Sequence, residues 1–521
     1  MLVRTNPRVL LLSFAVGLGA FLRLYPVLVA DFPLLDGGLF YTFIRELRQN
    51  SYLLPLFSAY NQGEIPFVYP PLSFYLAGIL ADLTGWSDLN VLRILPAILS
   101  TLTIPTCYLL VREILASEIQ ALLATFSFAL LSTAYDFLIV GAGLPRSLAF
   151  LFSMLTLWQI HRLYTHDEKR HIFYASIFAC LTLLSHPTIA WFTAYSGLLI
   201  FLFWGRRRTG WLRTGLVALG TLVLTAPWWL TMLIRHGITP FLSASQLGFR
   251  SWINLITPLL FLHTNEPYLK IQAVMGLLGL FVCLQKKQYF LPVWLGVVFL
   301  LEPRLAATYS VLPMVLLVAT GLDEVVLRGL RNHPSDKQVQ SPGSEAGNTP
   351  SPDHPMVSNG KTSGLLLSVF LLYSLVSSFI AAPKEALSLE HRTAMTWVGA
   401  ETPRESQFLI LSGIHGAGSD LISEWFPALS DRASLNTPQG LEWRDGRAFA
   451  SLWNRHSRLQ ACTTVDCLEA WAGDLGATFD YVYIRRAAPD PLPLVQSLDE
   501  SSDYQLVYEN PQVKIFQRLA R

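Results

Sequence analysis

Up to about residue 383 the chain alternates long apolar runs with short polar breaks, and beyond it the runs shorten and begin to alternate. A bilayer core of ~30 Å requires roughly 20 apolar residues per helix. On that measure about eleven spans are predicted, at 9–29, 89–111, 119–138, 145–163, 171–186, 187–204, 213–234, 267–284, 289–301, 304–322 and 363–382. The run from Pro70 to Leu83 is apolar too, but at 1.5 Å per residue it would cover only ~21 Å. It is therefore predicted as an interfacial or re-entrant helix. Tyr69-Pro70-Pro71 suits its start, because a proline in the first turn loses no intrahelical bond. The first span is too long for a signal-peptide core and shows no small-residue cleavage site, so it is expected to stay as an anchor.

The polar stretch from Asn332 to Thr362 is rich in Ser, Pro, Gly and Asn and almost devoid of large apolar residues, which predicts a disordered linker. Past the last span, strand patterns occur at FLILS from 408, YVYI from 481 and YQLVYENPQVKIFQRL near the end, the last split by Asn510-Pro511 as a hairpin would be. Helix patterns near His391 to Val398 and Cys467 to Leu475 make this a small α/β unit. The expected organisation is a multi-span membrane domain over 1–322, a cytoplasmic linker over 323–362, the last transmembrane helix at 363–382 and an extracytoplasmic α/β domain over 383–521. The fold class is a polytopic α-helical membrane protein of about eleven transmembrane helices plus interfacial helices, with a small C-terminal α/β soluble domain.

Composition agrees: 52% of the 521 residues are hydrophobic and 14% charged, the balance of a multi-pass protein of the cell membrane. The net charge of +2 gives no reason to expect a nucleic-acid partner. Orientation follows from the basic residues. Arg4 and Arg8, Arg112, the Arg162 to Arg170 cluster, Arg206 to Arg213, Lys286 with Lys287, and Arg328 to Lys337 all fall inside if the N-terminus is cytoplasmic. Cys107, Cys180 and Cys283 lie within spans, where a thiol behaves as a small hydrophobe. Cys462 and Cys467 would lie outside, where a disulfide persists; a zinc site with His456 would have too few ligands.

Charges beside apolar spans are costly unless used or paired, so the expected outer face holds the candidate chemistry. Asp36, seven residues past span one and followed by Gly37 and Gly38, reads as a general base for an acceptor hydroxyl or as the N-cap of a helix over Leu39 to Gln49. The two glycines would let backbone approach a ligand closely. Asp136 closes span three, and Arg146 follows at the start of span four; the pair could bracket a lipid phosphate or form an interfacial salt bridge. His186, Arg235, Arg250, Glu302 and Arg304 fall on the same side, where cations would stabilise a departing phosphate; His186 alternatively caps the helix break before Pro187. Trp425, Trp443 and Trp453 read as core aromatics or sugar-stacking rings.

An inside N-terminus, a first outer loop carrying Asp36, an interfacial helix opened by YPPL at Tyr69 and a second outer loop with Asp136 together resemble the membrane-integral C-type glycosyltransferases, among them the protein O-mannosyltransferases, the aminoarabinose transferases and the oligosaccharyltransferases. The likeness covers roughly residues 9–240. It implies a polyprenyl-phosphate-linked sugar donor and an outer-loop aspartate, here Asp36, acting in catalysis or metal coordination. Where such loops often carry a second acid this chain has Gly37, and where many have a histidine it has Tyr69. A divalent cation would need Asp136 or Glu64 beside Asp36, since a lone carboxylate holds a hard cation poorly. The implied function is inverting transfer of a sugar to an acceptor hydroxyl, with Asp36 and Asp136 as catalytic candidates and Tyr69, Arg146, His186, Arg235 and Arg304 on the substrate. The partners would be the lipid-linked donor, membrane lipid and an acceptor the sequence leaves open. A lipid-handling transporter or flippase and a non-catalytic membrane scaffold are the alternatives.

Overall fold

The computed structural model describes residues 6–245, 264–303, 305–331, 359–486 and 493–519. Most of the linker expected over 323–362, together with Arg250 and Arg304, lies outside the described residues.

Five described helices are long and apolar enough to cross a membrane: α1 (Pro7–Val29), α4 (Asp88–Leu115), α8 (Pro187–Trp204), α9 (Arg208–His236) and the Asn359–Ala381 helix over its residues from Thr362. Along α9, Leu212, Leu216, Leu219, Val223 and Ile234 are more than half exposed, an apolar surface that only lipid would cover favourably. Shorter apolar helices are α3 (Leu72–Thr84), α5 (Glu118–Ala129), α7 (Arg170–Leu183), and those at Ile271–Gln285 and Phe290–Leu301. The protein is an integral membrane protein. Helix α3 is 13 residues long, the short element that the Pro-Pro signal predicts. The span expected at 119–138 is different: α5 stops at Ala129, a short turn occupies Ser132–Ala134, and Asp136 sits in an irregular loop before α6 (Gly143–Thr165).

Contacts divide the chain into two compact units. The first comprises Met1–Leu22, Ile104–Ala134 and Leu255–Ala382. In it the Val311–Gly321 helix packs against both the Ile271–Gln285 helix and α5, and the buried Gln120 amide donates to Asp323 at 2.9 Å.

The second unit comprises Arg23–Thr103, Tyr135–Asn254 and Pro383–Arg521 and includes a short antiparallel pair, β1 (Phe57–Ser58) with β2 (Ile65–Pro66). Its C-terminal part is a five-stranded mixed sheet of order β4-β3-β5-β7-β6, with β3 (Gln407–Leu411), β4 (Ala433–Ser434), β5 (Tyr481–Arg485), β6 (Tyr504–Glu509) and β7 (Val513–Arg518). Strand β3 runs parallel to β4 and β5, while β7 is antiparallel to β5 and β6. The near-continuous apolar runs in β3 and β5 mean that both faces are covered. Phe408, Ile410, Tyr481 and Tyr483 enter one core and Leu409, Leu411, Val482 and Ile484 the other, as the two-residue period requires. The Asn510 side chain makes the β6–β7 turn by accepting from the Gln512 and Val513 amides at 2.9 and 2.8 Å. Cys462 and Cys467 are joined by a disulfide. His456 bonds instead to the carbonyls of Asn436 and Ile414, both at 3.0 Å, so it joins no zinc site with them.

The first core is shared along the chain. Phe40, Phe43, Ile44 and Leu47 of α2 (Gly38–Gln49) and Phe74 and Ala77 of α3 pack in one cluster with Met395, Phe426, Trp425 and Trp443. Burial of several aromatics at about 1.5–3 kcal/mol each fastens α2 and α3 to the C-terminal sheet. Arg45 of α2 adds a 2.7 Å ion pair to Asp431.

Candidate active site

The loop after α1 is held residue by residue. Leu34 forms an isolated antiparallel bridge with Ala386, and the Leu35 amide donates to the Glu385 carbonyl at 2.9 Å. The Leu35 carbonyl accepts from the Trp425 indole at 2.8 Å. From the other side, Gly141 N–H donates to the Leu34 carbonyl at 2.9 Å and Ala142 N–H to the Asp36 carbonyl at 3.1 Å. Ala142 is the N-cap of α6, and its amide also lies 3.3 Å from Asp36 Oδ1. The positive end of α6 therefore faces the Asp36 carboxylate. Arg146, on the first turn of the same helix, places a guanidinium nitrogen 3.7 Å from Asp36 Oδ2 and reaches the Phe137 carbonyl at 3.4 Å. The side chains of Asp36 and Arg146 are 27% and 29% exposed, so both remain within reach of a ligand.

The glycines after Asp36 serve packing within the chain. Gly37 has φ +141°, and Gly38 is so close to the Leu421–Ser430 helix that a Cβ there would stand 2.6 Å from the Glu424 carbonyl. The expected N-cap role for Asp36 is not the one observed, because Gly37 occupies the cap and offers no side chain. The cap comes from Glu424, whose Oε1 accepts the Gly37 amide at 3.0 Å, while the Glu424 carbonyl accepts the Tyr60 hydroxyl at 2.6 Å.

Glu424 is the site residue that sequence reading missed. It is 6% exposed, and its carboxyl is pushed up to about 8, first by burial and second by the negative charge of Asp36; the Gly37 and Leu39 amides and Arg146 pull the other way. The only sequence signal is an acid set among apolar residues in LISEWF. His391, on the Leu389–Glu401 helix, is bonded to the Tyr483 hydroxyl of β5 at 2.8 Å and is pushed down to about 4 by burial and by Arg485. The two have opposite consequences for stability. His391 contributes stability that is present above 6.5 and lost as pH falls toward 4, whereas Glu424 contributes stability that is present below 4.5 and lost as pH rises toward 8. From pH 6.5 to 8 only the second operates, so the thermal midpoint should fall over that interval, at up to about 1.4 kcal/mol per pH unit. Glu424→Gln should flatten the decline, and an unchanged slope in that variant would contradict the assignment.

The other expected residues fall as follows. The Tyr69 ring lies in an aromatic cluster, 5.1 Å from Phe40, 5.9 Å from Trp443 and 6.1 Å from His186. His186 caps α8, its Nδ1 accepting the Ile189 amide at 3.4 Å, and stands within electrostatic reach of Arg146. Asp36, Arg146, His186 and Tyr69 thus form a connected set. Arg235 is elsewhere, donating to the Leu54 carbonyl at 2.9 Å. Asp136 Oδ1 accepts the Phe137 amide at 2.8 Å, one residue from the carbonyl that Arg146 reaches. Glu64 is exposed and faces the charge of Arg444. Among the described residues no group of three or more His, Cys, Asp or Glu could hold a metal ion, so Asp36, Asp136 and Glu64 are not gathered into a cation site. Trp425 and Trp443 are core residues.

Residues 68–231 match the family model described as dolichyl-phosphate-mannose-protein mannosyltransferase. Among curated protein sequences no relative matches. The archaeal oligosaccharyltransferase AglB from Archaeoglobus fulgidus, solved with an inhibitory peptide and a dolichol-phosphate, aligns with TM-score 0.61 at 16% identity, over 93% of this chain and 70% of that one. ArnT from Cupriavidus metallidurans, solved with undecaprenyl phosphate, aligns with TM-score 0.57 at 13% identity over 99% of both chains. The mycobacterial arabinofuranosyltransferase AftD gives TM-score 0.56 at 16% identity, over 98% of this chain and 40% of that one. At these identities the likeness is one of fold. The chain thus shares the fold of these membrane-integral C-type glycosyltransferases, and its residues 68–231 match the mannosyltransferase family model.

Proposed function

We propose that this protein transfers a sugar from a polyprenyl-phosphate-linked donor to an acceptor hydroxyl at the outer membrane face, with inversion. The observation that carries the reading is the pairing of Asp36 with Arg146 at the N-terminus of α6. A base and a phosphate-binding cation stand side by side, partly exposed, in a loop fixed on every side. Asp36 takes the acceptor proton as the oxygen attacks the anomeric carbon. The bond from that carbon to the phosphate oxygen breaks, and the polyprenyl phosphate leaves as an anion toward Arg146 and the helix terminus. His186 and Tyr69 line the approach to Arg146, and Asp136 fixes the loop that Arg146 touches. Arg235 and Arg304 are further candidates for binding the lipid phosphate. The prenyl tail contributes affinity through apolar area, while the few polar groups give specificity.

The same reading orients the chain with about eleven crossings, a cytoplasmic N-terminus and linker, and residues 383–521 outside the membrane. Its support is the distribution of basic residues and the lipid phosphates bound by AglB and ArnT.

The test is purified full-length protein in detergent, incubated with radiolabelled polyprenyl-phosphate sugars and a panel of hydroxyl acceptors. Release of free polyprenyl phosphate with label passing to an acceptor is expected. Binding of the lipid without release, for every donor tried, would favour a transporter or scaffold.

A further inference from the structure

Three contacts from one short segment converge on the loop that holds Asp36. Glu424 Oε1 accepts the Gly37 amide at 3.0 Å, the Leu39 amide faces the same carboxyl, and the Trp425 indole donates to the Leu35 carbonyl at 2.8 Å. Residues 35 and 37 are thus bonded while Asp36 between them is left with its carboxylate turned to α6. Both partners are buried, Trp425 completely and Glu424 to within 6%. Trp425 is packed edge-on against Phe32 at 4.6 Å between ring centres. Their helix is seated on the sheet by Phe426 against Phe408 at 4.9 Å. A free carboxylate buried beside Asp36 would be a costly way to make a purely structural bond, because the backbone amides at a helix start can be satisfied by neutral side chains.

We infer that Glu424 and Trp425 are positioning residues for Asp36: the C-terminal domain, through these two side chains, sets the rotation of the first loop and so the direction in which the Asp36 carboxylate points. The inference rests on the proposed role of Asp36 as base. The charged and titratable groups facing Glu424 are Asp36, Arg146 and Tyr60, and a neutral Glu424 carboxyl beside the Asp36–Arg146 pair adds no second negative charge to it. An amide of the same shape should therefore do the same work.

The test compares Glu424→Gln, Glu424→Ala and Trp425→Phe in the full chain, by kcat and KM for the lipid-linked donor and by backbone hydrogen exchange of the peptide spanning residues 32–49. Glu424→Ala should lower kcat by about 10-fold to 100-fold with KM within about threefold, because misplacement of a reacting group acts on the chemical step. Glu424→Gln should restore kcat to within about threefold of wild type, since it keeps the acceptor oxygen. Trp425→Phe, which keeps a ring and removes the N–H, should lower kcat at unchanged KM. Exchange in the 32–49 peptide should accelerate in Glu424→Ala and Trp425→Phe and not in Glu424→Gln. Wild-type kcat in Glu424→Ala, or equal losses in the Ala and Gln variants, overturns the inference. Should Glu424→Ala not fold, Trp425→Phe decides by the same split. If the wild-type protein transfers no sugar, the function proposed above fails while the exchange measurement still judges the positioning: acceleration confined to residues 32–49 supports it, and unchanged exchange overturns it.

Discussion

Asp36→Asn is expected to lower sugar transfer by about 10²-fold to 10⁴-fold, the range that a positioned general base contributes, without unfolding the protein. The asparagine keeps an oxygen for the Ala142 amide, which approaches Asp36 Oδ1 at 3.3 Å. The loop is otherwise held through the backbones of Leu34, Leu35 and Gly37, none of which the substitution touches. What is lost is a negative charge 3.7 Å from a partly exposed Arg146, worth about 1 kcal/mol or less at such exposure. Initial rates of polyprenyl-phosphate release, alongside a thermal melt, separate the two effects. A wild-type rate in a folded Asp36→Asn protein would remove Asp36 from the reaction. The variant carries a second readout: Asp36 is one of the charges that push the Glu424 carboxyl up, so the alkaline loss of stability should shift to lower pH when that charge is gone.

Helices and strands were legible where one local period governs them. The long apolar runs, the short helix after Tyr69-Pro70-Pro71, the strands at 408 and 481 and the turn at Asn510 all follow from hydrophobic spacing or from proline and asparagine chemistry over a few residues. The span expected at 119–138 is longer than α5 because apolar character continues through Leu138 to Val140. There, however, the chain needs a tight turn into α6, and those side chains are buried in loop rather than in helix. The site was legible only in half. Asp36 and Arg146 stand out as charges beside apolar spans, but Glu424 lies 387 positions from the amide it caps, and no periodicity links residues so far apart. Gly37 and Gly38 were visible as an unusual pair, yet their neighbours were not: room read as space for a ligand is filled by Gly141 and by the backbone of Glu424.

The close approach of Gly141 to that loop leads to the second large effect. A Cβ at Gly141 would stand 2.1 Å from the Asp36 carbonyl oxygen and 3.2 Å from the Gly37 Cα. Relief by a side-chain rotation is closed off, because the atoms in the way are backbone and the carbonyl is already fixed by the Ala142 amide at 3.1 Å. Gly141→Ala must therefore push the two loops apart by more than an ångström at the point where Asp36 meets α6. Overpacking of this kind costs about 1–3 kcal/mol. A displacement of about 1 Å between a base and its target lowers the rate by about 10²-fold, so activity should fall much further than the thermal midpoint. Gly215→Ala in α9 is the matched control, since nothing lies within 4 Å of its added methyl and helix propensity favours alanine by about 1 kcal/mol. It should transfer sugar at the wild-type rate and melt no lower. If Gly141→Ala also kept the wild-type rate, the pairing of the 34–37 loop with the start of α6 would be irrelevant to catalysis, and the base would have to be sought away from Asp36.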